Sequence, residues 1–340
     1  MGKIVCFGEL MLRLNPAGYL RFEQANAFEA SFGGGEANVA VSLAHFGMNA
    51  SFVSKFPAHS IGDMGIRALR VEDVDTKDIV RGGERMGIYY LEKGASQRAS
   101  KVIYDRKYSS ISMADRNDFD WNAILDGAEW FHFTGITPAL SDTVAEITLD
   151  ALKVCKEKGI KVSCDLNFRK KLWSSEKAGK VMGELCQYVD VCIANEEDAE
   201  KVFGIKPDHN DVEGDKLNRE GYIDVAKKLS DRFGFEKVAI TLRESISAND
   251  NNWAAMLYAN GEAYFSKKYA VHIVDRVGGG DSFGAGLIYG LLNGFDCQKT
   301  IEFAVAASCL KHSIETDFNY VSVDEVTTLM KGDGSGRVQR

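Results

Sequence analysis

The sequence predicts a layered α/β fold with a mostly parallel central sheet, on three observations. Strand-like and helix-like patterns alternate regularly through the middle of the chain, the signature of βαβ units. The chain has 340 residues, 45% of them apolar, enough for a large core without disulfide staples and too many for a disordered chain. Two strand-rich stretches, 11–32 and 87–112, interrupt the rhythm at distant points, which suggests a small second sheet outside the main layers.

In chain order, KIVCFG (3–8) is a short apolar run closed by glycine, a buried strand. GEANVAVSLAHFG (35–47) is apolar nearly all round, which fits a buried helix stopped by Gly47. ASFVSKF reads as a strand, with a helix after Ser60. WFHFTG (130–135) reads as a strand, and 141–159 as a helix with Ser141 as its cap and Val144, Ile147 and Leu152 near helical spacing. IKVSCDLNF (160–168) reads as a strand and SSEKAGKVMGELC as a helix. The strand VDVCIAN, the helices EEDAEKVFG and YIDVAKKLSDRF, and the strand KVAITL follow. Residues 206–221 are polar and read as an exposed insertion. The two interrupting stretches are either a lid sheet over a site or two decorated surface loops. One domain over 1–330 is expected, with the lid from about 11–32 and 87–112 and a flexible tail at 331–340.

Composition narrows the function. Forty-one Lys and Arg against 49 Asp and Glu give a net charge of −8, unsuited to general nucleic-acid or anionic-membrane binding. The 7 cysteines are scattered without a C-x-x-C, and the 6 histidines without an H-E-x-x-H, so no metal-ligand set is expected. The cysteines read as buried hydrophobes of a reducing compartment. The first apolar run is broken by Glu9 and Arg13, so neither a signal peptide nor a membrane span is expected, and the cytoplasm is the expected compartment.

Four stretches can carry chemistry. In VDRVGGGDSFGAG, Gly278, Gly279 and Gly280 precede Asp281 and a helical pattern. Bare amides there can cradle an anion on a helix N-terminus while Asp281 takes a proton; the alternative is a glycine turn with Asp281 as a plain cap. In FGGGEAN, Gly34, Gly35 and Asn38 suit close approach by a polyol, or equally plain helix packing. Neither G-x-G-x-x-G nor G-x-x-x-x-G-K-[ST] occurs, so dinucleotide and P-loop sites are not expected. In CDLNFR, Asp165, Asn167 and Arg169 alternate after a strand, with Arg169 either a phosphate or carboxylate clamp or a salt-bridge partner of Asp165. In ANEED, Asn195 is a helix cap and ligand-facing amide, or the start of a solvated acidic helix.

Together these stretches resemble the PfkB, or ribokinase-like, carbohydrate kinases over essentially the whole chain, and an α/β/α domain with a β-lid is implied. GGGEAN is similar to the family's N-terminal signature. Asp275–Asp281 is similar to its C-terminal one, with Arg276 in place of a small Thr or Ser and Gly279 in place of Ala. The resemblance implies Asp281 as catalytic base and Gly278, Gly279 and Gly280 as the anion hole, with Arg169 assisting. ATP and Mg²⁺ are implied, and Asn195 to Asp198 resembles the N-x-x-E motif with Asp for Glu. Asn167, Asn195, Thr241, Arg243, Gly278 and Gly280 are implied on the nucleotide side.

GELMLRLNP, YYLEKGASQRASKVIYDR and CDLNFRKKLWS are similar to the subgroup acting on keto-deoxy sugar acids. That implies substrate contacts at Gly34, Gly35, Asn38, Tyr89, Tyr104, Arg106, Arg169, Asp281 and Asp317. Arg106 would offer its planar fork to the substrate carboxylate. The family also implies a dimer through the lid. A kinase of a neutral sugar and a non-catalytic sugar- or nucleotide-binding regulator remain as alternatives.

Overall fold

The structure, a computed structural model, describes residues 2–195, 197–208, 215–332 and 334, with no side-chain description at 215–218. In chain order come β1 (Lys3–Phe7), β2 (Met11–Asn15), β3 (Glu29–Gly33), α1 (Gly35–His45), β4 (Ala50–Phe56), α2 (Ser60–Val71), β5 (Ile79–Arg81), β6 (Gly87–Glu92) and β7 (Lys101–Asp105). Next are α3 (Trp121–Ile124), β8 (Ala128–Thr134), α4 (Asp142–Lys158), β9 (Lys161–Asp165), α5 (Ser175–Leu185), β10 (Val191–Asn195), α6 (Asp198–Phe203) and α7 (Asp215–Phe233). The chain finishes with β11 (Lys237–Ser245), β12 (Asp250–Ala259), β13 (Glu262–Phe265), β14 (Tyr269–His272), α8 (Gly279–Leu292), α9 (Cys297–Lys311) and α10 (Val323–Met330).

The main sheet runs β13-β12-β11-β10-β9-β8-β1-β4-β5, with β14 beside β12. From β5 to β11 every pairing is parallel, and β12, β13 and β14 are antiparallel. Strand alternation divides the core in two. On β1, Ile4 and Cys6 face one apolar cluster with residues of α1, α8 and α9, while Val5 and Phe7 face another with residues of α4 and α5. Both faces are covered, which is why β1 and β10 read as unbroken apolar runs rather than alternating ones. A separate four-stranded sheet, β3-β2-β6-β7, is built from the two strand-rich stretches.

Local signals set the element ends. Ser141 Oγ accepts from the Val144 amide at the start of α4, and Gly159 closes it at φ 66°. Several expectations need correction. The strand expected over 160–168 stops at Asp165, because Asn167 turns to φ 36°. The insertion expected at 206–221 is helical from Asp215, where α7 begins, and 209–214 lie outside the described residues. The strand expected at KVAITL runs on to Ser245, and β12 follows from Asp250. No element was expected over 297–330, where α9 and α10 form; α9 is buried on nearly every side and so shows no amphipathic period. Most of the expected tail lies outside the described residues. Five of the seven cysteines are buried, and Cys297 and Cys309 are half-buried. Among the described residues no helix is long and apolar enough to cross a membrane.

Candidate active site

The carboxyl ends of β9, β10 and β11, the start of α8 and the inner face of the small sheet enclose a cleft of about 460 Å³. Ligands of open α/β sheets bind at this end of the strands. Asn167, Arg169 and Asn195 line the cleft from the strand ends, with Thr241 and Arg243 beside them. Gly278, Gly280 and Asp281 close its floor, and Tyr104 reaches in from β7. Asp165, Asn167 and Arg169 share the cleft although the turn at Asn167, not strand alternation, brings them there.

The glycine run is required sterically. Gly278, the residue before α8, sits at φ 84°, and a Cβ there would lie 2.2 Å from the Asp317 carbonyl oxygen. The Gly279 amide donates at 3.4 Å to the Arg276 carbonyl, and a Cβ at Gly279 would lie 2.5 Å from His312 Cε1. Glycine at 279 is thus required by His312, and its amide, unlike those of its neighbours, has an internal acceptor at the outer limit of a hydrogen bond. The amides of Gly278, Gly280 and Asp281 have no acceptor among the described residues. Three such open amides at the positive end of a helix make a nest suited to an anion.

Asp281 is half-buried beside this nest, and Asn38 Nδ2 donates to its Oδ2 at 2.7 Å. Burial pushes its carboxyl up to about 7, Asp317 and Glu36 add to the shift, and the Asn38 hydrogen bond and Arg169 oppose it. A carboxylate poised near neutrality is suited to accept a proton from a hydroxyl. Asn38 thus orients the Asp281 carboxylate, and its Oδ1 accepts from the Gly34 amide at 3.3 Å. A Cβ on Gly34 would lie 1.9 Å from the Glu9 carbonyl oxygen, so glycine is needed there, while at Gly35 the nearest approach to Asp281 Oδ1 would be an ordinary 3.6 Å.

The lid residues are held differently from expectation. Arg106 is buried and both Nε and a terminal nitrogen donate to Glu9 Oε2, the former at 2.8 Å, so its fork meets an internal carboxylate and does not line the cleft. Arg106 also lies over the Tyr104 ring, 5.6 Å from its centre. Tyr89 is buried and its hydroxyl donates to the Asp317 carboxylate at 2.6 Å. Asp317 accepts from Arg13 at 2.8 Å as well, and Arg13 donates to Asp275 at 2.5 Å. Neither Tyr89 nor Asp317 lines the cleft, and neither Gly34 nor Gly35 does.

Arg13, fully buried, joins the small sheet to both ends of the segment that carries the nest. Sequence reasoning missed it, although the alternation of MLRLN places Met11, Arg13 and Asn15 on one face and a charged residue there was a visible signal. It also missed Glu36, whose Oε1 accepts from the Thr134 amide and from Thr134 and Thr137 hydroxyls at 2.6–3.0 Å.

Arg169 is exposed, and among the described residues it has no ion pair; the expected alternative bridge to Asp165 is absent. Asp165 carries a carboxyl raised well above its ordinary range by burial, then by Asp198 and Asp281 nearby, while Arg169 pulls it down. Asp198 is occupied, accepting from the Phe168 and Asn195 amides at 3.1 Å, and Asn195 Oδ1 accepts from the Glu197 and Asp198 amides.

A cleft pairing a proton-accepting carboxylate with open amides at a helix start is the site of a group-transfer enzyme acting on an anionic donor. The sequence profile of the pfkB family carbohydrate kinases matches residues 1–314, and the chain belongs to that family. It superposes on the crystal structure of a 2-dehydro-3-deoxygluconokinase from Thermotoga maritima with a TM-score of 0.93, at 55% identity and covering 97% of this chain and 98% of that one. A PfkB family carbohydrate kinase from Listeria grayi matches with a TM-score of 0.90 at 35% identity, over 97% and 99% of the two chains. A curated relative, the 2-dehydro-3-deoxygalactonokinase of Haloferax volcanii, is 31% identical over 334 residues, 98% of each chain.

Proposed function

We propose that the chain transfers the terminal phosphoryl group of ATP to the 6-hydroxyl of 2-keto-3-deoxygluconate. The observation that carries this reading is Asp281, poised near neutrality and adjoining the open amides of Gly278, Gly280 and Asp281. The likeness to the Thermotoga maritima enzyme over almost the whole chain supports the substrate class. The Haloferax volcanii relative favours, as a second reading, the galactonate epimer.

In this reading Asp281 takes the proton of the attacking hydroxyl, Asn38 fixes the carboxylate, and the amide nest holds the phosphoryl oxygens. Arg169, exposed in the cleft without an ion pair, takes the substrate carboxylate or the transferring group. Arg106 would have to exchange Glu9 for the substrate to contribute. Asp198 and Asp281 raise the Asp165 carboxyl, so positive charge brought by a divalent cation on the phosphates would relieve their repulsion. Asp165, which lines the cleft without an ion pair among the described residues, would hold the cation, directly or through water. When bound, Mg²⁺ neutralises charge on the transferring phosphates. Among the described residues no group of three or more His, Cys, Asp or Glu side chains is placed to hold a metal ion.

The small sheet serves as a lid that excludes water. The face of the sheet turned away from the cleft leaves Phe28, against Tyr90, and Ile103 exposed, and a second copy of the chain is the proposed partner there. The function is tested by ADP release from purified protein with ATP and Mg²⁺ across sugar acids and neutral sugars. Release with 2-keto-3-deoxygluconate well above that with fructose or ribose is expected. A preference for a neutral sugar would overturn the sugar-acid assignment, and no release with any acceptor would favour a binding protein.

A further inference from the structure

Arg276 stands two residues before Gly278, where the resemblance leads one to expect a small Thr or Ser. Its side chain is half-buried in the cleft wall and poorly tied. One terminal nitrogen reaches the Ala248 carbonyl and Asn251 Oδ1, each at 3.4 Å, the outer limit of a hydrogen bond. Among the described residues neither Arg276 nor Arg243, an exposed side chain lining the same cleft, has a carboxylate within ion-pair distance. Asp275, the neighbour of Arg276, is taken by Arg13, and Glu197 on the cleft rim is taken by Lys201.

The two guanidiniums feel one another. Burial and then Arg243 hold Arg276 below its ordinary range. Burial pushes the neighbouring His312 down to about 4, with Lys311, Arg276 and Arg243 adding to it. This wall of the cleft thus holds two guanidiniums without a carboxylate at ion-pair distance among the described residues, although Glu197 feels Arg243 at longer range. Guanidinium forks match phosphate oxygens two at a time, and an anion between two forks removes their mutual repulsion. The open amides of the nest begin two residues further along, at Gly278.

We propose that Arg276, together with Arg243, clamps the phosphate chain of the nucleotide behind the terminal phosphate and steadies the leaving group. This rests on the kinase reading above. In the step, the acceptor hydroxyl oxygen forms a bond to the terminal phosphorus and its proton passes to Asp281. The bond from that phosphorus to the bridging oxygen breaks, and the electron pair stays on the diphosphate, whose growing charge the two forks meet.

The test measures binding of ATP, inorganic tripolyphosphate and adenosine by calorimetry, with kcat and KM for ATP, in the wild type and in Arg276→Thr, Arg276→Lys and Arg243→Ala. Arg276→Thr is expected to weaken ATP and tripolyphosphate about 10- to 100-fold and to lower kcat, leaving adenosine affinity unchanged. Arg276→Lys recovers part of the loss, and Arg243→Ala, at an exposed position, reproduces it with no loss of thermal stability. Equal weakening of adenosine and ATP, or a lowered melting temperature with normal tripolyphosphate affinity, would show that Arg276 only ties down the turn at Ala248–Asn251 and would overturn the clamp. If the wild type turns over ATP and Arg276→Thr matches it, the clamp falls and the kinase reading stands. If the wild type binds neither ATP nor tripolyphosphate, both fall.

Discussion

Asp281→Ala is expected to fold and to bind ATP, and to lose about 10³-fold in turnover. The carboxylate adjoins the amide nest and is held near neutrality, suited to take the proton of the attacking hydroxyl. Glu36 is enclosed by Thr134 and Thr137, and Asp317 is taken by Arg13 and Tyr89. The same group sets the pH dependence. Its raised carboxyl is protonated at acid pH and cannot act as base, so kcat/KM for the wild type should fall as pH drops below about 7. Asn38→Ala removes a hydrogen bond that favours the charged form and should move that acid limb to higher pH. An unchanged limb in Asn38→Ala, or near-normal turnover in Asp281→Ala, would remove Asp281 from the chemistry.

The second large effect is on stability. Arg13→Met leaves Asp275 and Asp317 buried without their shared cation, and removing one partner of a buried ionic cluster costs about 3–5 kcal/mol. Lys311 stays nearby but gives its donors to the Ile314 and Thr316 carbonyls, and the Tyr89 hydroxyl alone remains on Asp317. Denaturant unfolding of the variant at neutral pH should show this loss. The loss should shrink toward acid pH, because Asp317, already raised by burial, becomes neutral on taking up a proton. A loss below about 1 kcal/mol would show that the cluster contributes no more than an exposed pair.

The sequence carried the parts of this account that depend on local pattern. The parallel sheet was legible because strands covered on both faces, such as KIVCF and VCIAN, are continuous apolar runs separated by capped helices. The glycine-opened start of α8 was legible because a run of glycines leads into a helical pattern, and Gly278 shows the steric reason for the first of them. Contacts between distant segments were not legible. Asn38 meets Asp281 across 243 residues and Arg13 meets Asp317 across 304, and no spacing within one segment encodes either pairing. Arg106 illustrates the same limit: its type suggested a ligand fork, but the fold places Glu9 against it. Gly279 was grouped with its neighbours by composition, while the first helical turn rotates it toward His312.

The most direct measurement is a crystal structure of the protein with a non-hydrolysable ATP analogue, Mg²⁺ and 2-keto-3-deoxygluconate. The terminal phosphate should lie within hydrogen-bond distance of the Gly280 and Asp281 amides, with the sugar-acid 6-hydroxyl on the Asp281 carboxylate. A terminal phosphate seated elsewhere, leaving those amides to solvent, would contradict the account.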